Sequence, residues 1–468
     1  MAHWPAALLV TGLAATLIVE RPAAQQATPD SAHVSRVLAL LATSDTSVCE
    51  LAGEAITNGW GFYWQPRLFP TPMPMPMPTP MPMPMARRLE GQKPHIRMHV
   101  RAGPHYQMAG AAVLGAFRAV LRNDSRCVRN VAARVLGRTR AAGSYETFLE
   151  LLHAPTPGVR ETGALGLGEL GDGRALQPLE SALKDADATV RAMAARGLGA
   201  LGDSASLGRL ADALGDAAAQ VREAAAWALG ELNIPGAIAP LSRALGDRSI
   251  EVRAMAAWGL GQAQSEQVVA ALSGVLGDAA PEVRRAAAWA LGQTADASAV
   301  DVLLPVLGDR DVRVRVAAAH ALGEIASPRA VHGLGALVRD ESADARRTAI
   351  WALGQSEGTS AIAPLAVGLK DSDPQTRELA AWALGQIESD SAVAALAEAL
   401  KDGAPEVRVA AAWALGRIGS QGARAPLEAA LRDKSSDVQN AARWALDQFD
   451  DQSGRRRVRV RIRSRTGI

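Results

Sequence analysis

The stretch VREAAAWALG, residues 221–230, recurs along the chain at a fixed interval. Close copies begin at residue 252 (VRAMAAWGLG), residue 283 (VRRAAAWALG), residue 376 (TRELAAWALG) and residue 407 (VRVAAAWALG). With Val221 counted as position 0, an equivalent residue occurs every 31 residues. These residues are Val128, Val159, Val190, Val221, Val252, Val283, Val314, Ala345, Thr376, Val407 and Val438. A period of this length, kept without a slip, predicts an array of stacked supersecondary units.

Each 31-residue unit predicts two helices. The first is typified by ALQPLESALKD (175–185), with Pro178 in its opening turn, where a missing N–H costs little. The second is typified by VRAMAARGLG (190–199), and we expect its final Gly to be a left-handed C-cap. One pair cannot cover its own apolar face, so the pairs must stack. We therefore expect an all-α fold, a right-handed α-solenoid of about twelve two-helix repeats.

Composition supports closely packed helices and limits the partners. The chain has 468 residues, of which 48% are hydrophobic but only 4% aromatic, so Ala, Leu and Val supply most of the apolar mass. The net charge is +2, yet the last fourteen residues carry seven Arg and no acid, which leaves −5 for the rest. The array shows no basic stripe, and we therefore expect no nucleic-acid partner.

The Asp…VRxAAAxALG pattern, with leucine-rich first helices such as APLSRALGD (239–247) and APLAVGLKD (363–371), resembles the HEAT-like repeats of phycobilisome lyases. The resemblance covers residues 106–449 and implies a scaffold or binding surface. Its enzymatic relatives are bilin lyases and di-iron hydroxylases with paired His-Glu motifs. This chain has no His-Glu dipeptide, no HExxH and no CxxC. GLGELG (166–171) and GLGALG (197–202) fit GxGxxG only as helix-end glycines. We expect no catalytic residue and no cofactor. A bilin-lyase-like enzyme is the less favoured alternative, because an export signal argues against it.

Segments outside the array indicate export. Residues 1–24 predict a signal peptide from the apolar stretch Trp4–Val19, although the absence of Lys and Arg before it leaves an uncleaved anchor as the alternative. Residues 31–56 predict a degenerate capping repeat. Residues 57–105 form a Met/Pro-rich insertion in the repeat pattern, and residues 450–468 form an Arg-rich tail. The resulting expectation is a protein of the bacterial periplasm or cell envelope.

Two cysteines, Cys49 and Cys127, fall near the starts of second helices in adjacent repeats. Export would place them in an oxidising compartment, where a disulfide between them would staple the N-terminal cap. Two separate buried thiols are the alternative, because the positions differ by two in register and a disulfide needs Cα atoms within about 7 Å.

The insertion and the tail each allow two interpretations. PTPMPMPMPTPMPMPMA (70–86) predicts a stiff polyproline spacer, in which Met at every second residue would spiral around the rod. The alternative is a Cu or Zn site formed by this segment with His95, His99 and His105. RRRVRVRIRSR (455–465) predicts either a solvated tail or contact with an anionic envelope surface.

An Asp precedes the second-helix Arg by six residues in eight copies. A planar guanidinium can fork onto a carboxylate between stacked turns, so these residues predict a structural ladder that ties the loops together. The pairs are Asp185/Arg191, Asp216/Arg222, Asp247/Arg253, Asp278/Arg284, Asp309/Arg315, Asp340/Arg346, Asp371/Arg377 and Asp402/Arg408.

Position 6 carries the tryptophan. An α-helix turns by about 100° per residue, which places positions 4, 5 and 8 on one arc, and we expect this arc to be packed. Position 2 varies between copies, so we expect it to face solvent, with position 6 next to it. Sister copies place Arg134, Arg196 and His320 at position 6, and a sealed site would not accept an unpaired charge.

The resemblance places second helices on a concave face, so these side chains predict a surface for a protein or peptide partner on a monomer. The alternative is packing between repeats. The candidate residues are Trp227, Trp258, Trp289, His320, Trp351, Trp382, Trp413 and Trp444.

Overall fold

The computed structural model describes residues 111–448, except 264, 266 and 357, together with Ser35. The described residues form helices and turns, with no strand among them. Odd numbers denote first helices of a repeat and even numbers denote second helices. They are α1 Ala111–Ala119, α2 Arg126–Arg138, α3 Ser144–Leu152, α4 Pro157–Leu170, α5 Leu176–Ala182, α6 Ala188–Leu201, α7 Leu207–Ala213, α8 Ala219–Leu232, α9 Ile238–Ala244, α10 Ile250–Gln262, α11 Gln267–Ser273, α12 Pro281–Gln293, α13 Ala299–Leu303, α14 Val312–Ile325, α15 Val331–Leu337, α16 Ala343–Gln355, α17 Ile362–Gly368, α18 Pro374–Ile387, α19 Val393–Ala399, α20 Pro405–Ile418, α21 Arg424–Ala430 and α22 at 436–448.

The chain divides into two compact units, with the boundary between Leu232 and Asn233. In the first unit, α2, α4, α6 and α8 pack in chain order. In the second unit, α10, α12, α14, α16, α18 and α20 do the same. Within each unit, second helices contact one another more extensively than first helices do. None of the helices in residues 111–448 is long and apolar enough to cross a membrane.

The second helices begin and end by recognisable local chemistry. In α6, the N-cap carboxylate of Asp187 accepts hydrogen bonds from the backbone N–H of Thr189 and Val190. Pro begins α18 and α20, where its missing N–H lies among the donors that no helix can satisfy. The Leu residue at position 8 is buried in every copy but the last, as in Leu291 and Leu384. The packed arc therefore lies where the pattern predicts it.

The predicted C-cap at position 9 is wrong. Gly199 lies inside α6, which continues to Leu201 and ends at Gly202 with φ +67°. Position 12 has a positive φ in every copy where that residue is described, whether it is glycine or not. The residues are Arg140, Gly171, Gly202, Asn233, Ala295, Ala326, Glu388 and Gly419. The left-handed turn thus belongs to the repeat geometry, and glycine is optional there.

Glycine at position 9 serves a different purpose, which is close helix contact. A Cβ built on Gly385 would lie 2.8 Å from both Cα and Cβ of Ala414, at position 7 of the next second helix. The same contact recurs between Gly261 and Ala290, where the distance to Cα is 2.9 Å. Real Cβ atoms do not approach this closely, so any side chain at position 9 would force the two helices apart.

The prediction that position 2 faces solvent is also wrong. Glu161, Ala254 and Val316 are buried at this position. Side chains here reach neighbouring repeats: Glu161 pairs with Arg126 of the preceding repeat, and Arg347 Nη1 lies 3.0 Å from Asp373 Oδ2 of the following one. The variation at position 2 reflects changing partners between repeats instead of exposure.

The predicted ladder residues interact, but with a different pairing. Arg377 donates from Nε and Nη2 to the carboxylate of Asp402, 25 residues later, at 2.7 and 2.9 Å. Its Nη1 donates to the backbone carbonyl of Asp371, six residues earlier, at 2.8 Å. The Asp402 carboxylate also accepts the backbone N–H of Ala404 at 2.8 Å. Each guanidinium therefore binds its own turn through backbone oxygen and the next turn through a carboxylate.

The same inter-repeat pair recurs within both units, and it includes Arg160 and Asp433, which the six-residue spacing missed. The pairs are Arg160–Asp185, Arg191–Asp216, Arg253–Asp278, Arg284–Asp309, Arg315–Asp340, Arg346–Asp371, Arg377–Asp402 and Arg408–Asp433. Arg222 Nη1 donates to the carbonyl of Asp216 at 2.9 Å, and the Asp247 carboxylate accepts the N–H of Ser249 at 2.7 Å.

The ladder stops at both ends of the described array. Arg129, in the first copy, has Ala154 where later copies have Asp, and its guanidinium donates to Thr162 and to the carbonyls of Gly158 and Asn123. Gln439 replaces the Arg in the last copy and donates only to its own turn, through Asp433 O at 2.7 Å.

Close helix contact predicts opposite outcomes for two glycine substitutions. We expect Gly385→Ala to lower the free energy of unfolding by roughly 1–3 kcal/mol, because its Cβ would overlap Ala414. Gly208 lies in α7, and a Cβ added there would have no heavy atom within 4 Å, so Gly208→Ala should raise the free energy by up to about 1 kcal/mol. Urea unfolding followed by circular dichroism measures both, and equal effects would contradict the contact.

The ladder predicts a loss of stability in acid. Arg377 hydrogen bonds lower the pKa of Asp402, so its stabilising contribution is complete above the unfolded pKa and is lost as pH falls through the folded one. At pH 7 we expect Asp402→Asn to cost roughly 1.5–3 kcal/mol, since a charge-assisted bond is removed. The difference from wild type should shrink below about pH 4. Urea unfolding at pH 7, 5 and 3 tests this, with the exposed Asp390→Asn as control; a gap independent of pH would refute it.

Candidate functional site

The predicted tryptophans lie along one face of the second helices and are half-buried. We call the position-6 side chains of the second unit the Trp face. It consists of Trp258, Trp289, His320, Trp351, Trp382, Trp413 and Trp444. Trp227 holds the same position on α8 in the first unit and is half-buried too. Each side chain is thus partly in contact with the protein and partly open to solvent.

The benzene edge of the indole supplies the packed part in Trp289, Trp351, Trp382, Trp413 and Trp444. A Cβ on Gly385 would lie 3.1 Å from Cζ3 of Trp413, and one on Gly261 would lie 3.3 Å from Cζ3 of Trp289. The indole therefore lies over the position-9 glycine of the preceding repeat. Tryptophan packing between repeats, the alternative that the sequence left open, is present in this structure.

The pyrrole edge of the indole, which carries Nε1–H, takes no part in this packing contact. Within an indole, Nε1 lies on the opposite side from Cζ3, so seating the benzene edge on glycine turns Nε1–H away from that contact. Among the described residues, no Trp of the Trp face donates a hydrogen bond from Nε1, and none of these nitrogens is sealed from solvent. A tryptophan N–H that is buried usually finds a partner, so this row of donors remains available to one.

A second row of polar side chains follows at position 10, one helical turn after the tryptophan. In five copies this residue is Gln, and residues four apart lie side by side on a helix. The pairs are Trp258/Gln262, Trp289/Gln293, Trp351/Gln355, Trp382/Gln386 and Trp444/Gln448. In the part of the chain that the structure describes, these five carboxamides make no hydrogen bond.

The sequence prediction did not include this glutamine row. The signal was available in the same internal alignment, as the recurring letters WALGQ and WGLGQ. The repeat pattern predicts that the second helix ends at the position-9 glycine, which leaves position 10 outside the predicted helix. In the structure the second helices include position 10, which places Gln386 in α18 and Gln262 in α10, each four residues after its tryptophan.

Two copies on the Trp face depart from the Trp–Gln pattern. His320 stacks on Trp351 with ring centroids 4.8 Å apart and planes 13° apart, and its Nε2 lies 3.8 Å from Glu324 Oε1. Burial lowers the pKa of His320 below its ordinary value, while Glu324 acts in the opposite direction. At the other exception, the Arg417 guanidinium lies 5.4 Å from the Trp413 ring centroid and pairs with Glu388.

The first unit carries a different set at position 6. Arg134 lies 3.6 Å from Glu169, Leu165 is buried, and burial lowers the pKa of Arg196, with Glu223 opposing that shift. Position 6 of the described copies in this unit therefore has one tryptophan, Trp227, together with two arginines and one leucine.

An open recess of about 300 Å³ lies at the α2–α3 and α4–α5 turns of the first unit. Arg174 lies 4.0 Å from the Tyr145 ring centroid and 2.7 Å from Asp172 Oδ2, so its charged group is held by neighbouring side chains. Among the lining residues, the Ser144 hydroxyl donates to the carbonyl of Leu136 and the Tyr145 hydroxyl donates to the carbonyl of Arg174.

Metal-binding groups do not converge in the described part of the chain. No three His, Cys, Asp or Glu side chains among the described residues could hold one ion together. The candidates His95, His99 and His105 lie outside the described residues, as do Cys49, the signal segment, the capping repeat, the insertion and the Arg-rich tail. The Cys49–Cys127 disulfide therefore stays a prediction.

Comparison with known proteins agrees with this architecture. The family model for HEAT repeats matches residues 115–190, 178–249, 239–314, 300–368 and 362–447. No curated protein matches the chain.

Several solved structures are similar. Human deoxyhypusine hydroxylase is 29% identical over 53% of this chain and 96% of its own, with a TM-score of 0.26. The CpcE–CpcF complex of phycocyanin lyase from Nostoc is 23% identical over 47% of this chain and 92% of its own, with a TM-score of 0.33.

A structure of Kap95p with RanGDP covers more of this chain, 94%, together with 62% of its own, at 12% identity and a TM-score of 0.51. This likeness concerns the fold alone. The five matched stretches overlap one another from residue 115 to residue 447. This chain therefore belongs to the HEAT repeat family, and its fold is an all-helical α-solenoid of stacked helix pairs.

Proposed function

We propose that this protein is a non-catalytic scaffold or adaptor of the cell envelope that binds a protein partner along the Trp face. The observation that carries the proposal is the row of half-buried indoles whose N–H groups have no partner among the described residues. Tryptophan is enriched at binding hot spots because it offers large area and a donor with little conformational entropy to lose.

Conformational rigidity supports the same role. The benzene edges are fixed on the position-9 glycines, so binding would not have to immobilise the indoles. HEAT-repeat proteins commonly bind protein partners, and the sequence predicts that second helices line a concave face. Among the described residues, no group of three His, Cys, Asp or Glu side chains could hold a metal ion.

The proposal predicts that tryptophan substitutions abolish partner capture. We expect Trp258→Ala, Trp289→Ala and Trp382→Ala, combined, to remove specifically captured proteins in a pull-down from the envelope fraction. The matched control replaces exposed side chains of first helices, Glu398 and Glu428, with Ala. Each strongly captured protein is then purified and titrated calorimetrically, where a single Trp→Ala should weaken binding about 30-fold, corresponding to a hot-spot loss of about 2 kcal/mol.

Circular dichroism melting separates binding from folding in that experiment. Trp289 and Trp382 also pack on the preceding repeat, so a moderate drop in melting temperature is expected for the triple variant. Retention of the same proteins by a folded triple variant would refute the proposed function.

Envelope location predicts a processed and oxidised protein. We expect intact mass analysis of protein from the envelope fraction to show cleavage near Ala24, together with a Cys49–Cys127 bridge that adds about 2 Da on reduction. The matched sample is Cys49→Ser, which should show no such shift. A full-length, reduced protein in the cytosolic fraction would contradict export.

A further inference from the structure

Glutamine at position 10 occurs only in copies that have tryptophan at position 6. Four copies lack Trp at position 6, and in the two of them with an acid at position 10 that acid has a partner: Arg138 Nε lies 2.8 Å from Glu169 Oε2, and His320 Nε2 lies 3.8 Å from Glu324 Oε1. In the five Trp–Gln copies, the position-10 side chain is neutral and makes no hydrogen bond among the described residues. The glutamine row therefore does not stabilise the fold through polar contacts.

We propose that the Trp–Gln pairs bind the main chain of an extended, uncharged peptide segment of the partner. The inference rests on the proposed function and specifies its partner. A carboxamide offers two N–H donors and one carbonyl acceptor, which are the complementary groups of a peptide unit. A row of neutral amides beside indole N–H donors thus matches a polypeptide backbone better than it matches charged side chains.

The partner segment must be extended because of where its hydrogen-bonding groups lie. In a helix or a paired strand the backbone N–H and C=O are already satisfied, so they are unavailable to a new surface. An extended or polyproline II segment has no internal hydrogen bonds and leaves its carbonyls open. Apolar side chains of such a segment would pack on the exposed parts of the indoles, as in other aromatic-lined peptide grooves.

The spacing of the pairs gives the length of the segment. Packed helices lie about 8–10 Å apart, and an extended chain rises about 3.3 Å per residue, so every third residue meets one pair. From Trp258 to Trp382 there are four such steps, which corresponds to about 12 residues. His320 interrupts the row between Trp289 and Trp351.

The Trp–Gln pairs carry no charge, which favours an uncharged peptide as the occupant. Gln262, Gln293 and Gln386 are half-buried beside half-buried indoles. An acidic or basic peptide side chain placed there would be partly desolvated without a counter-charge from either row, which is unfavourable. The charged exceptions, Glu324 and Arg417, each already face a charged or titratable group.

The test uses a library of random 12-residue peptides selected on the full chain, with the triple Trp→Ala variant for counter-selection. We expect enriched peptides to be uncharged at their centre. For the best peptide, Gln262→Met, Gln293→Met and Gln386→Met should each weaken binding about 3- to 10-fold, because Met keeps the shape of Gln without its hydrogen bonds. The control Gln421→Met changes an exposed glutamine at a first helix and should have no effect.

Backbone N-methylation provides a readout that a purely structural role of the glutamines would not affect. Methylating alternate amides of the selected peptide should weaken binding at least tenfold to wild type, and by less than threefold to the triple Gln→Met variant. A melting temperature within a few degrees of wild type for that variant shows that its fold is kept.

The outcomes distinguish the two proposals. If no peptide is enriched over the Trp variant, both the proposed function and the peptide-binding inference fail. If peptides bind through the tryptophans but are indifferent to Gln→Met and to N-methylation, only the main-chain inference fails. A tenfold gain in peptide affinity on deletion of residues 70–86 would show that the chain's own segment occupies the face, which overturns binding of a partner segment.

Discussion

The contact between position 9 of one second helix and position 7 of the next sets the geometry of each unit. At this contact the two backbones approach so closely that Gly385 faces Cα of Ala414 without room for a side chain. Small residues at both positions allow the approach, and large residues must go elsewhere. The indole at position 6 is the large residue that closes the seam beside the contact, with its benzene edge over the glycine. The orientation of the candidate binding groups therefore follows from how the repeats pack.

The strict 31-residue period follows from the polar ladder as well as from this contact. Each Arg bridges its own turn and the Asp 25 residues later, at near-constant distances of 2.6–2.8 Å for the Nε contact. An insertion of a single residue between them would disturb a bidentate bond and two backbone acceptors at once. Apolar packing tolerates small shifts, whereas this geometry does not. The ladder explains why the repeats keep their length while position 2 varies.

Periodicity was sufficient to predict the helix pairs, the buried Leu at position 8 and the partial exposure of position 6. It was insufficient for positions whose burial or bonding partner depends on a neighbouring repeat. Position 2 varies like a surface site, yet Ala254 is buried there, because a helical wheel represents one helix and omits the two beside it. The glycine at position 9 looked like a C-cap for the same reason. The ladder was recognised by residue type but paired within a repeat, since sequence proximity favoured an interval of six over one of 25.

The direction of the ladder has a consequence for how such an array can change in length. Every Arg reaches forward to the next repeat and backward only to its own turn, so a repeat presents the same two half-contacts whichever repeats flank it. The special residues are confined to the ends, with Arg129 bonded without a carboxylate and Gln439 in place of Arg. Loss or duplication of 31 residues inside a unit would recreate an ordinary junction. Such an array can therefore be shortened or extended by recombination without any new interface having to evolve.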